Sequence, residues 1–209
     1  MNIIYIIKGV IMEEDKFNLS KEKAMDKLNY AIKNNLVDNE IMYIVNKINK
    51  LDNYYTTSSC IGRCGIMEFP KDKNPKINSK WTGKWHHYAS KEDLLEGIKN
   101  LSDSYHMAVF VMNSPILHVA CKNSEYAKKL LDLAIHTGLK ASSVKSISKN
   151  RYIVEILTTY KIDTPIGYNG KLMVNFDYLH FLLNVGNEKL KKSRELLYKL
   201  YLKLDTLEI

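Results

Sequence analysis

The stretch from Thr57 to Arg63 holds the residues of this sequence whose types and spacing best suit the binding of an anion. It combines small hydroxyl side chains, a glycine that lets the backbone approach a ligand closely, and an arginine that can grip a carboxylate or phosphate. The alternative is a polar hairpin in which the Ser and Thr side chains only satisfy turn amides. We predict a cofactor- or substrate-binding segment that uses Ser58, Ser59, Cys60, Gly62 and Arg63.

A second candidate is a histidine on a short apolar strand. Alternation along residues 116 to 121 puts His118 on the same face as Ile116 and Ala120. A core histidine bonded to the backbone is the usual reason for such a placement. A histidine that exchanges protons in a binding pocket is the alternative, because its ring changes charge near neutral pH.

Four potential zinc ligands form a C-x₃-C pair and an H-x₂-C pair, spacings close to those of structural zinc sites. They are Cys60, Cys64, His118 and Cys121. Strand alternation puts His118 and Cys121 on opposite faces, which disfavours a shared metal ion. We expect no bound metal and keep a zinc-stabilised interaction domain as an alternative.

A basic segment is followed directly by aromatic residues. Residues 70 to 84 contain five lysines and show neither helical nor strand periodicity, so we predict a long, mobile, basic loop. Aromatic rings beside lysines suit stacking on unpaired bases and contact with phosphates, although Trp85 could equally anchor the core. The predicted phosphate contacts are Lys71, Lys73, Lys76, Lys80 and Lys84, and the predicted ligand-site residues are Trp85, His86 and His87.

The charge of the whole chain agrees with a polyanionic partner. Among its 209 residues, 31 Lys and Arg face 23 Asp and Glu, which gives a net charge of +8. The hydrophobic content of 45% excludes collagen-like, low-complexity and wholly disordered proteins. Three cysteines do not form a disulfide framework, which indicates a reducing, cytoplasmic setting.

The first 11 residues are apolar but too short to span a bilayer, and no small-residue cleavage site follows them. Met12 offers a second start. We therefore interpret residues 1 to 11 as a non-native start or an extra segment, such as an added strand. Residues 12 to 209 are expected to form a single domain with no membrane association.

The remaining elements are predicted from hydrophobic periodicity and turn residues. Helices are expected at Lys21–Asn34, capped by Ser20, and over residues 38 to 51, capped by Asp38, with an apolar stripe of Ile41, Ile44, Val45, Ile48 and Leu51. Two more are expected over residues 91 to 101, with Ser90 and Asp93 as a capping box, and over residues 124 to 136, ended by Gly138. From Trp85 a strand, helix, strand, strand pattern occurs twice, which suggests an internal duplication. The chain should close with a helix to Val185, a break at Gly186 and a basic helix to Leu204.

No G-x-G-x-x-G motif, the signature of a dinucleotide-binding Rossmann fold, is present in the sequence. The predicted fold is therefore α+β and non-Rossmann, with one mixed, largely antiparallel sheet and packed helices.

Three segments together resemble the tRNA wybutosine-synthesis N4-methyltransferase family. They are Thr56–Arg63, the strand Pro115–Val119 with Cys121, and the stretch from Tyr178 to Lys189. The resemblance extends from Phe17 to Leu204. It implies S-adenosylmethionine-dependent methylation of N4 of 7-aminocarboxypropyl-demethylwyosine at position 37, in the anticodon loop of tRNA(Phe), without DNA as a partner. Positions that match the family motifs are Ser58, Ser59, Cys60, Gly62, Arg63, Trp85 and His118, and the register of His86 and His87 is open.

Methyl transfer to a ring nitrogen needs alignment of donor and acceptor and the removal of one proton. His118, or a histidine beside Trp85, is the natural proton acceptor, and we predict His118 as the catalytic residue. A non-catalytic RNA-binding protein is the main competing function, since the basic loop and the last helix would serve it equally.

Overall fold

The structure, a computed structural model, describes the backbone of residues 3–71 and 78–207 and the side chains from residue 16 onward within these ranges. The described helices are α1 (Ile3–Lys33), α2 (Met42–Lys50), α3 (Lys91–Lys99), α4 (Ser124–His136) and α5 (Phe176–Lys203), with short 3-10 helices at Asn39–Ile41 and Leu204–Leu207. The described strands are β1 (Tyr54–Cys60), β2 (Arg63–Phe69), β3 (Lys80–Trp85), β4 (Met107–Asn113), β5 (Ile116–Cys121), β6 (Ser143–Ser148), β7 (Arg151–Leu157), β8 (Lys161–Tyr168) and β9 (Lys171–Leu172).

The chain divides into two compact units, each built on its own sheet. The first unit comprises Met1–Cys60, Ile116–Thr158 and Leu196–Ile209, and the second comprises Ile61–Pro115 and Thr159–Glu195. The first sheet has the order β1-β5-β7-β6 and the second the order β3-β2-β4-β8-β9. The α+β class is confirmed. The single domain over residues 12 to 209 stays a prediction.

The prediction of one mixed sheet is wrong, because the described strands form two sheets in which every pairing is antiparallel. Strands β1 and β2 belong to different sheets, and so do β4 and β5, although short turns join them in the sequence. The two copies of the predicted duplication are therefore not equivalent. The first copy passes from one sheet to the other, whereas β6 and β7 of the second copy pair directly.

In the first unit, one extra residue in β1 decides which way the next side chain points. Thr56 lies opposite Val119 and Ser58 lies opposite His118, so Thr57 is a β-bulge. In a regular strand Thr56 and Ser58 would share a face. The bulge puts Ser58 on the face of His118 instead.

Helix α1 packs on this unit through Phe17, whose ring centroid lies 5.2 Å from that of Tyr55. Both side chains are buried. The added strand expected near the N-terminus is wrong, because the described backbone is helical from Ile3 to Lys33. Ser20 therefore lies inside a helix, where its hydroxyl donates to the carbonyl of Lys16 at 2.8 Å instead of capping a helix end.

Helix α2 buries the predicted apolar stripe of Ile41, Ile44, Val45, Ile48 and Leu51. Asp38 precedes the 3-10 turn at Asn39–Ile41, and its side chain makes no capping hydrogen bond. Other predicted helix ends are confirmed. Ser90 and Asp93 form a capping box at the start of α3, and Gly138 adopts φ of +101° just after α4.

The second unit is built around Trp85, which is buried between two glycines. A Cβ atom at Gly83 would lie 2.2 Å from Trp85 Cζ2, and one at Gly97 would lie 2.9 Å from the same atom. The indole fits only because these residues have no side chain. The predicted loop over residues 70 to 84 is wrong at its end, because residues 80 to 85 form strand β3 and pair with β2.

Gly186 does not break the last helix, since α5 runs without interruption from Phe176 to Lys203. A Cβ atom at Gly186 would lie 3.1 Å from Cys64 Sγ and 3.2 Å from Phe110 Cζ. The glycine therefore lets the helix approach β2 and β4 of the same unit closely. This packing outweighs its low helix propensity.

Candidate active site

Three adjacent strands of the first sheet bring together a serine, a histidine and a glutamate in one row. Ser58 of β1 lies opposite His118 of β5, and His118 lies opposite Glu155 of β7. The Ser58 Oγ atom is 2.7 Å from His118 Nδ1. His118 Nε2 is 2.8 Å from Glu155 Oε2. Both ring nitrogens thus have a partner.

Lys145 completes the row from the next strand, β6. It is the extra residue of a second bulge, between Val144 and Ser146, and its Nζ donates to Glu155 Oε1 at 3.1 Å. Burial opposes the charge of Glu155, but the hydrogen bonds from His118 and Lys145 outweigh burial and hold the pKa of the carboxyl below its usual range.

The ionised Glu155 determines which ring nitrogen carries the proton. A carboxylate only accepts hydrogen bonds, so His118 Nε2 must carry a hydrogen and donate it. In the neutral ring Nδ1 is then an acceptor, and the Ser58 hydroxyl donates to it. The row can therefore take a proton from a ligand at Ser58 Oγ and store it on His118, where Glu155 stabilises the positive charge.

Ser58 also lines a cavity of about 460 Å³ in the same unit. The cavity lies between one face of α1 and residues 55 to 59 of β1. Its charged lining residues are all basic, namely Lys23 and Lys27 of α1 and Arg151 of β7. The Arg151 guanidinium is held in place, since Nη1 donates to the Tyr55 hydroxyl at 2.9 Å.

Gly62 and Arg63, the last residues of the predicted binding segment, lie in the second unit. Gly62 has φ of +85°, and a Cβ atom there would lie 2.8 Å from Pro115 N and 2.9 Å from Asn113 O. Gly62 therefore allows its backbone to pack closely against the backbone of Asn113 and Pro115. Arg63 is half-buried over Trp81, with its Cζ 5.7 Å from the ring. Within the described part of the chain, its buried Nε has no hydrogen-bond partner.

The structure does not bring Trp85 to the surface, because its side chain is only 7% exposed. A buried indole offers no face for stacking on a base. The His86 carbonyl accepts a hydrogen bond from Arg194. His87 is exposed, and its Nε2 lies 3.0 Å from Asp93 Oδ2, which ties it to the cap of α3.

A profile of the family described as Methyltransferase TYW3 matches residues 19–206. This protein belongs to the TYW3 methyltransferase family. The family expected from the sequence motifs is thus confirmed. The match spans the strands of both units, including the row of Ser58, His118 and Glu155.

Two relatives of this TYW3-family chain are named as the same tRNA methyltransferase. The tRNA(Phe) 7-((3-amino-3-carboxypropyl)-4-demethylwyosine(37)-N(4))-methyltransferase of Methanocaldococcus jannaschii is 61% identical over 188 residues, which are 90% of this chain and 96% of the relative. The protein of the same name from Thermococcus sibiricus is 42% identical over 191 residues, which are 91% of this chain and 95% of the relative. The solved structure of the PH1069 protein from Pyrococcus horikoshii matches with a TM-score of 0.84 at 39% identity, covering 91% of this chain and 96% of that one.

Of the five lysines predicted to contact phosphates, three are described and all three side chains are exposed. They are Lys71, Lys80 and Lys84. Lys73 and Lys76 lie outside the described residues. Within the described helices, none combines the length and the hydropathy that crossing a membrane requires.

The four potential zinc ligands do not form the predicted site. Cys60 pairs with Ile116 and Cys121 pairs with Tyr54, so these two cysteines lie at opposite ends of the β1–β5 ladder, about 20 Å apart at the rise of a strand. His118 already uses both nitrogens, and Cys64 belongs to the other sheet. The zinc alternative is therefore wrong for this set of residues.

Cysteine reactivity gives a direct check of this packing. Cys64 and Cys121 are fully buried, and burial raises the pKa of each thiol to about 12. Since the thiolate is the reactive form, we expect at most one thiol per native chain to react with Ellman's reagent at pH 8. After unfolding in guanidinium, all three should react. Rapid reaction of two thiols in the native protein would contradict the burial of Cys64 or Cys121.

Sequence reasoning singled out Ser58 and His118 as candidates, and it did not name Glu155, Lys145 or the cations of the cavity, which the structure places beside them. Glu155 alternates with Val154 and Ile156, two buried aliphatic residues. A carboxylate in such an apolar strand was the available signal, because a largely buried charge needs a partner. Lys23 and Lys27 share one helical face, but helical spacing does not show which strand that face meets.

Proposed function

We propose that this TYW3-family protein methylates N4 of 7-aminocarboxypropyl-demethylwyosine at position 37 of tRNA(Phe), with S-adenosylmethionine as the methyl donor. The names of its relatives support this substrate. The observation that carries the proposal is the row of Ser58, His118 and Glu155, since methylation of a ring nitrogen must release one proton.

The transfer forms a bond between N4 and the methyl carbon and breaks the bond between that carbon and the sulfonium sulfur. The Ser58 hydroxyl accepts the N4 proton as it passes its own proton to His118 Nδ1. Glu155 holds the ring in the tautomer in which Nδ1 carries no hydrogen, and it stabilises the cationic ring afterwards. The proton then leaves His118 for solvent, which returns the row to its initial state.

S-adenosylmethionine, when bound, supplies an electrophilic methyl group and brings a carboxylate of its own. Arg63 stays a predicted binding residue for a carboxylate of the cofactor or of the substrate, since the Nε of its half-buried guanidinium has no partner among the described residues. Unpaired buried donors are rare in folded proteins, and an oxygen acceptor would satisfy this one. We expect Arg63→Ala to abolish methylation of precursor tRNA while the protein stays folded.

The substrate position implies contact with an anticodon loop, and the reducing setting expected from the cysteine content favours the cytoplasm. Unstacking a base from such a loop requires that the neighbouring phosphates be held. Lys71, Lys80 and Lys84 are exposed and available for this contact, and Lys73 and Lys76 remain predicted contacts.

The decisive experiment is mass spectrometry of tRNA nucleosides from a strain that lacks the gene. Accumulation of 7-aminocarboxypropyl-demethylwyosine is expected, and restoring the gene should restore its N4-methyl form. An unchanged nucleoside profile would remove the proposal. A non-catalytic RNA-binding protein would bind tRNA without binding the cofactor, so calorimetric titration with S-adenosylmethionine separates the two functions.

A further inference from the structure

The cavity beside Ser58 favours a negatively charged ligand, because the basic and the acidic side chains of α1 lie on different faces of the helix. Lys23 and Lys27 are one helical turn apart, and both line this cavity. The acidic neighbours Glu22 and Asp26 lie one position earlier and line a different cavity, together with Asp52. No described carboxylate lines the cavity that holds Lys23, Lys27 and Arg151.

The cavity also offers hydroxyl groups, which can accept hydrogen bonds from an ammonium. Thr57, Ser58 and Ser59 line its strand side, and Ser20 lines its helix side. β1 is an edge strand, paired only with β5 in its sheet. A site with cations and hydroxyl acceptors together matches a zwitterionic amino-acid group better than a phosphate alone.

We infer that this cavity receives the aminocarboxypropyl side chain of the substrate base, with Lys23, Lys27 and Arg151 binding its carboxylate. The inference rests on the proposed function, because it takes the substrate from there. In that function Ser58 meets the reacting base at N4, and the same residue lines the cavity. The side chain carried by that base can therefore enter the cavity while N4 stays at Ser58.

A carboxylate site in this cavity would make the protein bind tRNA that carries the side chain more tightly than tRNA that lacks it. Hydrogen bonds between charged groups would be lost with a tRNA that lacks the side chain, and the three cations would then face only water. The cavity thus distinguishes tRNA that carries the side chain from tRNA that lacks it.

Equilibrium binding tests this assignment with two forms of tRNA(Phe), one that carries the aminocarboxypropyl side chain and one with the same tricyclic base without it. The wild-type protein should prefer the first form by about tenfold. Lys23→Gln/Lys27→Gln should lose that preference and keep the affinity for the second form. The matched control is Lys16→Gln/Lys33→Gln, which removes the same charge from exposed positions of α1 that do not line the cavity, and its preference should match the wild type.

Three outcomes of the binding measurements would each overturn the assignment. Equal weakening of both tRNAs by the Lys23/Lys27 variant, with a smaller salt dependence, would assign the cations to a phosphodiester. Weaker calorimetric binding of S-adenosylmethionine to this variant would assign them to the cofactor. An unchanged preference would exclude an anion site. Because binding is measured without turnover, a wild-type protein that shows the preference but does not methylate would disprove the proposed function and leave this inference standing.

Discussion

Replacing His118 with asparagine should lower the single-turnover rate of methyl transfer by about 10²- to 10⁴-fold, the usual contribution of a positioned acid or base. Asparagine keeps a polar group on β5 but cannot accept the proton that leaves N4. Affinity for tRNA and thermal stability should stay close to wild type. His136→Asn is the matched control, since His136 lies at the exposed end of α4 and bonds only to the Asp132 carbonyl among the contacts described.

Glu155→Gln should act through His118, and the combination of the two substitutions tests this coupling. The variant keeps the shape of the side chain but loses the charge that fixes the tautomer of His118. If the residues act as one unit, the double variant His118→Asn/Glu155→Gln will be no slower than His118→Asn alone. Additive losses would show that Glu155 contributes independently, and a normal rate for His118→Asn would remove the proton relay altogether.

The pH dependence of the rate should be asymmetric. The pKa of Glu155 is lowered, so its contribution is present at neutral pH and is lost only as the pH falls through that low value. The single-turnover rate of the wild type should therefore decrease on the acid side, and Glu155→Gln should change that side of the profile more than the alkaline side.

Replacing Trp85 with alanine should destabilise the protein by about 3–5 kcal/mol, the range for truncation of a buried aromatic residue. The indole fills the space above Gly83 and Gly97, and neither glycine can fill the void. Urea unfolding gives the free energy directly. Trp85→Phe should lose less stability and should methylate tRNA at a near-normal rate at a temperature where it is fully folded.

This pair of variants separates a core role for Trp85 from a base-stacking role. A Trp85→Phe protein that is stable but binds tRNA poorly would support base stacking. A Trp85→Ala protein of normal stability would contradict the core role. Trp81→Ala is the comparison, because Trp81 is half-buried on the same strand and lies beside Arg63. Its loss should affect stability less than the loss of Trp85.

Local sequence signals predicted the parts of the fold that depend on neighbours in the chain. The capping box of Ser90 and Asp93, the glycine after α4 and the apolar stripe of α2 each involve residues within a few positions of one another. Ser58 and His118 were found in the same way, from residue types in short motifs. Their direct contact could not be predicted, because it depends on the order β1-β5-β7 and on the bulge at Thr57.

Strand β8 shows why other elements were missed. It contains Asp163, Pro165 and Gly167, residue types that disfavour strands. Pairing with β4 overrides this preference, and the irregular register next to Pro165 accommodates the proline. The continuity of α5 through Gly186 has the same kind of cause, since contacts with distant residues outweigh the local tendency to break.

The bulge at Thr57 has a further consequence for how this protein behaves at high concentration. An edge strand with regularly spaced amide and carbonyl groups is a template for another chain, and a bulge interrupts that spacing. The same residue that turns Ser58 toward His118 thus protects β1 against edge-to-edge aggregation. Deleting Thr57 would restore a regular edge and leave Thr56 opposite Val119 and Ser58 opposite His118, so solubility would be lost while Ser58 keeps its contact with His118.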